Sequence, residues 1–314
     1  MATERSFTEA VRQELARGEL GGDAVVRAEL TGLLRVAGSL RVQGGASEQD
    51  RVALELRTTS GAVARRAFAL LQRGYQLRPE LLVRSPGGLH QRSTYAVRVQ
   101  AGAAGVGRDL GLLDDEGRPS GALPTDLRGA RAVAYLRGAF LAAGSLSSPG
   151  RAPHLEIGMR SAELAEAVAA LAREVVAGTV SAATGERPRV VVKSGATIGE
   201  LLTTLGATGA FLAWDDRRLR RQLRSDATRL ANADAANLRR TIEAAATQVR
   251  TVETVVAELG WEELDEPLRA VALARLANPE ASLSELGELV DPPVAKSVVH
   301  RRLKRLEDLA GRHA

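Results

Sequence analysis

The sequence reads as a duplicated α+β domain followed by a compact all-α module, for three reasons. Eleven residues, LTGLLRVAGSL at Leu30–Leu40, return as LRGAFLAAGSL at Leu136–Leu146, identical at six of eleven places. The same order of elements follows each copy. From Asp265 onward the pattern changes to three short helices with tight connections.

In the first copy the expected elements after the repeated helix are strands at Ser39–Val42 and Val52–Thr58, a helix at Ala62–Arg73, strands at Leu81–Arg84 and Thr94–Val99, and a helix at Asp109–Leu113. In the second they are strands at Ser145–Ser147 and His154–Met159, a helix at Ala162–Ala177, strands at Thr179–Ala182 and Val190–Lys193, and a helix at Ile198–Leu205. Thr94, Ala96 and Arg98 alternate with Tyr95, Val97 and Val99, the two-residue period of a strand, while Glu163–Val176 spaces its apolar residues as a helix does. The repeats thus occupy about 24–115 and 130–210 within a domain at 1–215. A helical linker at 216–262 leads to a terminal domain at 263–314.

Gly32 and Gly138 fall inside the repeated helices, where glycine costs about 1 kcal/mol relative to alanine. Their recurrence at matching places predicts that the two helices pack backbone to backbone about a pseudo-twofold axis, with Gly38 and Gly144 as left-handed caps. These stretches resemble the LAGLIDADG helices of homing endonucleases in a single-chain, two-repeat arrangement. In active members each helix carries an acidic residue at the penultimate motif position, and the pair holds divalent metal at the cleaved phosphates. Here those positions are Ala37 and Ala143, and no acid lies within Leu30–Gly44 or Leu136–Gly150. The resemblance therefore implies the scaffold without the nuclease, and no metal site. It also implies a DNA-facing sheet, for which the strands offer Arg41, Arg51, Arg57, Arg84, Arg92, Arg98, Arg189 and Lys193, although arginine on solvent-facing strands is common.

Composition narrows the chemistry. Of 314 residues 45% are apolar and 26% charged, enough for two ordinary cores and too charged for wholesale membrane burial. The start, MATERSFTEAVRQELARGEL, lacks an apolar signal core, so a cytoplasmic location is expected. With no cysteine, and with His90, His154, His300 and His313 scattered, thiolate, disulfide, iron–sulfur and zinc-finger chemistry are excluded. No cofactor is expected. Gly102-Ala-Ala-Gly105-Val-Gly107 has the wrong glycine order for a dinucleotide loop, and Asp114, Asp115 and Glu116 read as a solvated turn.

The net charge of +5 says less than its distribution. Two basic residues face ten acidic ones over 251–291, whereas six face two over 292–314. In the linker, Arg217, Arg218, Arg220, Arg221 and Arg224 either track a DNA backbone or pair with Asp215 and Asp216. Asp226–Gly260 reads as one or two long helices, in which Asn232, Asp234 and Asn237 form either a polar surface site or, the preferred reading, caps at a break between helices.

Leu268, Val271, Ala272, Arg275 and Leu276 make the first terminal helix, and Asn278-Pro279 stops it. Ser282 and Glu285 form a capping box opening the second, which runs to Val290. Asp291 suits the N-cap of the third and Pro292 its first turn. On that helix Val299, Leu303 and Leu306 share the core face, with Ser297, Arg301 and Lys304 opposite and His300 and Arg305 flanking. This is helix-turn-helix spacing. The outward residues suit base edges in a major groove, and Lys296 and Arg302, nearer the seam, suit phosphates.

The order of parts resembles the WhiA family of bacterial regulators over nearly the whole chain. The likeness is carried by FTEAVRQELAR at Phe7–Arg17, RLANADAANLRRTIEAAATQ at Arg229–Gln248 and NPEASLSELGELVDPPVAKSVVHRRLKRL at Asn278–Leu306. Val298, His300 and Arg301 depart from the glycine, asparagine and histidine familiar there, which leaves the base preference open. The resemblance implies a non-enzymatic, sequence-specific transcription regulator in sporulation septation, cell division and chromosome segregation. It implies promoter DNA as ligand, a nucleoid-associated monomer with an internal pseudo-twofold, and a WhiB-type iron–sulfur regulator and RNA polymerase as partners. Two alternatives stay open: a cell-division scaffold with incidental DNA affinity, and a residual homing-type endonuclease.

Overall fold

The computed structural model describes residues 6–42, 52–86, 93–121, and 123–313, which leaves out Arg51, His90 and Arg92. The chain divides into a unit at Met1–Arg221 and a second at Gln222–Ala314, and each has its own apolar core. No helix among the described residues is long and apolar enough to cross a membrane.

The first unit is organised around two helices, α2 (Asp23–Ala37) and α5 (Ala130–Ala143), preceded by α1 (Phe7–Arg17). A methyl group on Gly32 would collide with the carbonyl oxygen of Tyr135, and one on Gly138 with that of Glu29. Gly32 and Gly138 are one repeat apart, and so are Glu29 and Tyr135, so the contact is reciprocal about a pseudo-twofold. Backbones this close exclude any Cβ, and the contact offsets what glycine costs each helix.

Each helix runs straight into a four-stranded antiparallel sheet. The first comprises β1 (Gly38–Val42), β2 (Val52–Thr58), β3 (Glu80–Arg84) and β4 (Thr94–Val99), in the order β1-β2-β4-β3, with α3 (Gly61–Tyr75) connecting β2 to β3. The second comprises β5 (Gly144–Leu146), β6 (Leu155–Gly158), β7 (Ser181–Ala183) and β8 (Arg189–Val192), in the matching order β5-β6-β8-β7, with α6 (Ala162–Val175) between β6 and β7. Identical topology in both halves agrees with the duplication.

Two expectations in this unit are corrected. Gly38 and Gly144 are not left-handed caps: their backbones are extended, with φ of −71° and −70°, because a strand begins at each. Space requires glycine there, since a side chain would strike the preceding helical turn at Leu34 or Phe140. The helix expected at Asp109–Leu113 lies instead at α4 (Ala103–Asp109). Gly102, at φ +81°, turns the chain directly out of β4, and burial of Ala103, Ala104 and Val106 overrides the poor helix propensity of a glycine-rich segment. The amides of Leu112 and Leu113 then fold back onto the Gly107 carbonyl as a turn.

After α7 (Gly195–Leu205) comes α8 (Thr208–Leu259), whose first turns belong to the first unit and the remainder to the second. The Glu14 carboxylate accepts from the Gly209 and Ala210 amides at 2.8 and 2.6 Å, which caps its start, and buried Trp214 donates to the Ser147 carbonyl at 2.7 Å. α8 continues through Asn232, Asp234 and Asn237 with no break. The alanines and arginines around these residues favour helix, and isolated Asn or Asp lowers that preference by less than about 1 kcal/mol each.

The second unit adds α9 (Glu266–Ala277), α10 (Leu283–Leu289) and α11 (Lys296–His313). Its core joins Val252 and Val255 of α8 to Leu268, Val271, Leu286, Val299, Leu303 and Leu306.

Candidate nucleic-acid interface

The three terminal helices are set by local chemistry. Asp265 caps α9, accepting from the Leu268 amide at 2.9 Å. Ser282 and Glu285 form the expected capping box on α10: the hydroxyl accepts from the Glu285 amide and the carboxylate from the Ser282 amide, at 3.3 and 2.7 Å. Between α10 and α11 the Val294 amide donates to the Gly287 carbonyl at 2.8 Å, and a Cβ at Gly287 would collide with the Val294 carbonyl oxygen. Gly287 thus permits the turn, a role its sequence position alone does not reveal.

α11 begins at Lys296, so Asp291 is not its N-cap and Pro292 is not in its first turn. Pro293 disfavours helix at Pro292, because a residue preceding proline is pushed out of the helical region, and the Val294 amide is committed to the Gly287 carbonyl in the turn. Beyond that point the predicted faces hold. Val299, Leu303 and Leu306 are buried, while Lys296, Ser297, His300, Arg301, Lys304 and Arg305 are exposed and Arg302 is half-buried. One predicted member has a competing partner: Arg305 pairs with Asp265 at 3.1 Å, which ties α11 to the start of α9.

The sheet residues behave differently. On the first sheet Arg41, Arg57 and Arg98 converge on Glu55, a carboxylate with no solvent exposure. Burial alone would raise its pKa, yet hydrogen bonds from Arg98 and Arg57 and the charges of Arg57 and Arg41 outweigh it and hold the carboxyl below the usual range. On the second sheet the pseudo-equivalent Glu156, paired across the ladder with Ser145 as Glu55 is with Ser39, meets Arg189 and His154, each at 3.3 Å. Arg84 and Lys193 stand exposed at strand ends. Neither glutamate stands out in the sequence, where alternation tells which face a residue occupies but not which neighbours converge on it. In the linker cluster, Arg218 and Arg220 pair with Asp215 and Asp216 at 2.8 and 3.0 Å, and Arg217 lies over the Phe7 ring.

The ends of α2 and α5 carry methyl groups, at Ala37 and Ala143, where a cutting enzyme would need carboxylate, and guanidinium groups lie against the adjoining backbone. Arg160 donates to the Val36 carbonyl at 3.0 Å and to that of Gly38, so it brackets Ala37. Arg12 donates to the Gly144 carbonyl at 2.9 Å, next to Ala143. Methyl groups supply no ligand and two fixed cations repel one, so these residues do not fit the divalent metal of the homing enzymes.

Three family descriptions match the chain: the WhiA N-terminal LAGLIDADG-like domain over residues 23–113, the WhiA LAGLIDADG-like domain over 132–224, and the WhiA C-terminal HTH domain over 227–310. The chain is 42% identical over 312 residues to the probable cell division protein WhiA of Kocuria rhizophila, covering 98% of this chain and 93% of that protein. It is 40% identical over 312 residues to the protein of the same name from Acidothermus cellulolyticus, covering 98% and 94%. Among solved structures, full-length WhiA of Thermatoga maritima shares the fold, with a TM-score of 0.57, 24% identity and 99% of both chains covered.

Proposed function

This chain belongs to the WhiA family, and from that premise we propose that it is a DNA-binding regulator of cell division that reads promoter sequence through α11. The observation that carries the reading is the division of α11 into a buried apolar face and an exposed face bearing Ser297, His300, Arg301 and Lys304, mounted on the capped α10 and its tight turn. An arginine on such a face donates twice to guanine, while Lys296, at the start of α11, is placed for a phosphate. The finer reading, regulation of septation during sporulation and of chromosome segregation beside a WhiB-type iron–sulfur regulator and RNA polymerase, rests on family likeness. Binding without cutting is supported by Ala37 and Ala143 and by the guanidinium groups of Arg160 and Arg12 beside them.

The test is affinity for a bound promoter fragment and for random duplex of equal length, over a range of salt. Arg301→Ala is expected to cost about 1 to 3 kcal/mol on the promoter and little on random DNA. Lys296→Ala is expected to weaken both alike and reduce the salt slope by about one. Equal losses on both duplexes for Arg301→Ala would overturn base reading by α11.

A further inference from the structure

We propose that α8 contributes a phosphate-binding notch beside the helix-turn-helix, which takes a backbone phosphodiester of the bound DNA. The proposal rests on the DNA-binding reading above and adds a contact outside the two helices that carry it. Within the second unit, a cavity of about 320 Å³ is lined by Arg240, Thr241 and Gln248 of α8, Arg275 of α9, Ser282 at the start of α10 and Lys296 at the start of α11. No aspartate or glutamate lines it.

Arg275 makes this more than a cluster of surface cations. Its residue is 2% exposed, and its Nη1 donates to the carbonyls of Asn278, Pro279 and Ala281, which fixes the guanidinium in place. Its Nε is buried without a hydrogen-bond partner, and so is the side-chain oxygen of Gln248, which lines the same cavity. The Gln248 amide turned over would present its NH2 group at the same place. Three cations, a hydroxyl and one unmatched buried donor, Arg275 Nε, around one cavity suit a ligand that is anionic and accepts from several directions, which describes a phosphate group.

Phosphate could come from the DNA backbone or from a free phosphorylated ligand. The backbone is favoured by position, because Ser282 and Lys296 mark the N-terminal ends of the two helix-turn-helix helices, the edge along which a DNA strand runs when the second helix enters the major groove. Arg240 is exposed and uses two of its nitrogens locally, on the Ala236 carbonyl and the Asn237 side chain, leaving a further nitrogen to reach a phosphate.

The experiment compares full-length protein with Arg240→Ala, Arg240→Lys and Arg239→Ala, all checked for unchanged thermal unfolding, on promoter and random duplex across a salt series. Arg240→Ala is expected to weaken both duplexes by about tenfold and lower the salt slope by about one, with Arg240→Lys recovering most of the slope and Arg239→Ala matching the parent. An unchanged Arg240→Ala, with Arg301→Ala still selectively impaired, overturns the notch and leaves the DNA reading intact. Equal losses for Arg239→Ala and Arg240→Ala also overturn it, by reducing the effect to general charge. Loss of the Arg301→Ala effect fails the DNA reading instead. In a parallel calorimetric arm without DNA, inorganic pyrophosphate binding below millimolar Kd and abolished by Arg240→Ala, with duplex affinity untouched, overturns the backbone as source and assigns the notch to a free ligand.

Discussion

Glu29 and Glu55 are carboxylates removed from water and held by arginine. Glu29 accepts from Arg66 Nε and Nη2 at 2.7 and 2.8 Å, with both side chains buried. Removing one partner of such a pair strands the other, so Glu29→Ala is expected to cost about 3 to 5 kcal/mol, measured from urea unfolding. Glu55 acts through pH. Its folded pKa is depressed, so its contribution is fully present above the unfolded carboxylate value of about 4.3 and is lost as pH falls through the lower folded value. Stability of the parent should therefore fall on acidification below about pH 4 more steeply than that of Glu55→Gln, and parallel acid-unfolding curves would contradict the assignment. Neither role was legible in the sequence, because ion-pair partners come from separate strands and helices.

The paired helices α2 and α5 are the element on which the first unit depends. Gly32→Ala would gain about 1 kcal/mol of helix propensity but force two backbones apart, and overpacking of this kind costs about 1 to 3 kcal/mol or more. A net loss of stability is expected in chemical denaturation, whereas a stabilised variant would show that the contact is loose. This close approach was readable, because the same glycine recurs at the same place in both repeats. The conformations at Gly38 and Gly144 were not, since glycine serves both a left-handed cap and a crowded extended junction. The start of α11 was misplaced for a related reason: the helix-compatible φ of Pro292 is legible, but the next proline disfavours helix there. At α10, the Ser282 and Glu285 spacing sufficed because a capping box is formed within four residues.

Two separate cores imply two folding units, with α8 serving both. Residues 222–314 expressed alone are expected to unfold cooperatively and to retain promoter selectivity with weakened affinity. A fragment that binds promoter and random duplex equally would place part of the base reading in the first unit. The duplication, the capping box of α10, the core face of α11 and the absence of carboxylates at Ala37 and Ala143 could all be read along the chain, because each is a local pattern or a residue identity. Folding in three dimensions alone brought Arg41, Arg57 and Arg98 onto Glu55, Arg160 around Ala37, and Arg240 and Arg275 to the same cavity as Lys296. Periodicity gives the direction of a side chain, but the field it experiences is set by groups distant in sequence, and packing determines which of those come near.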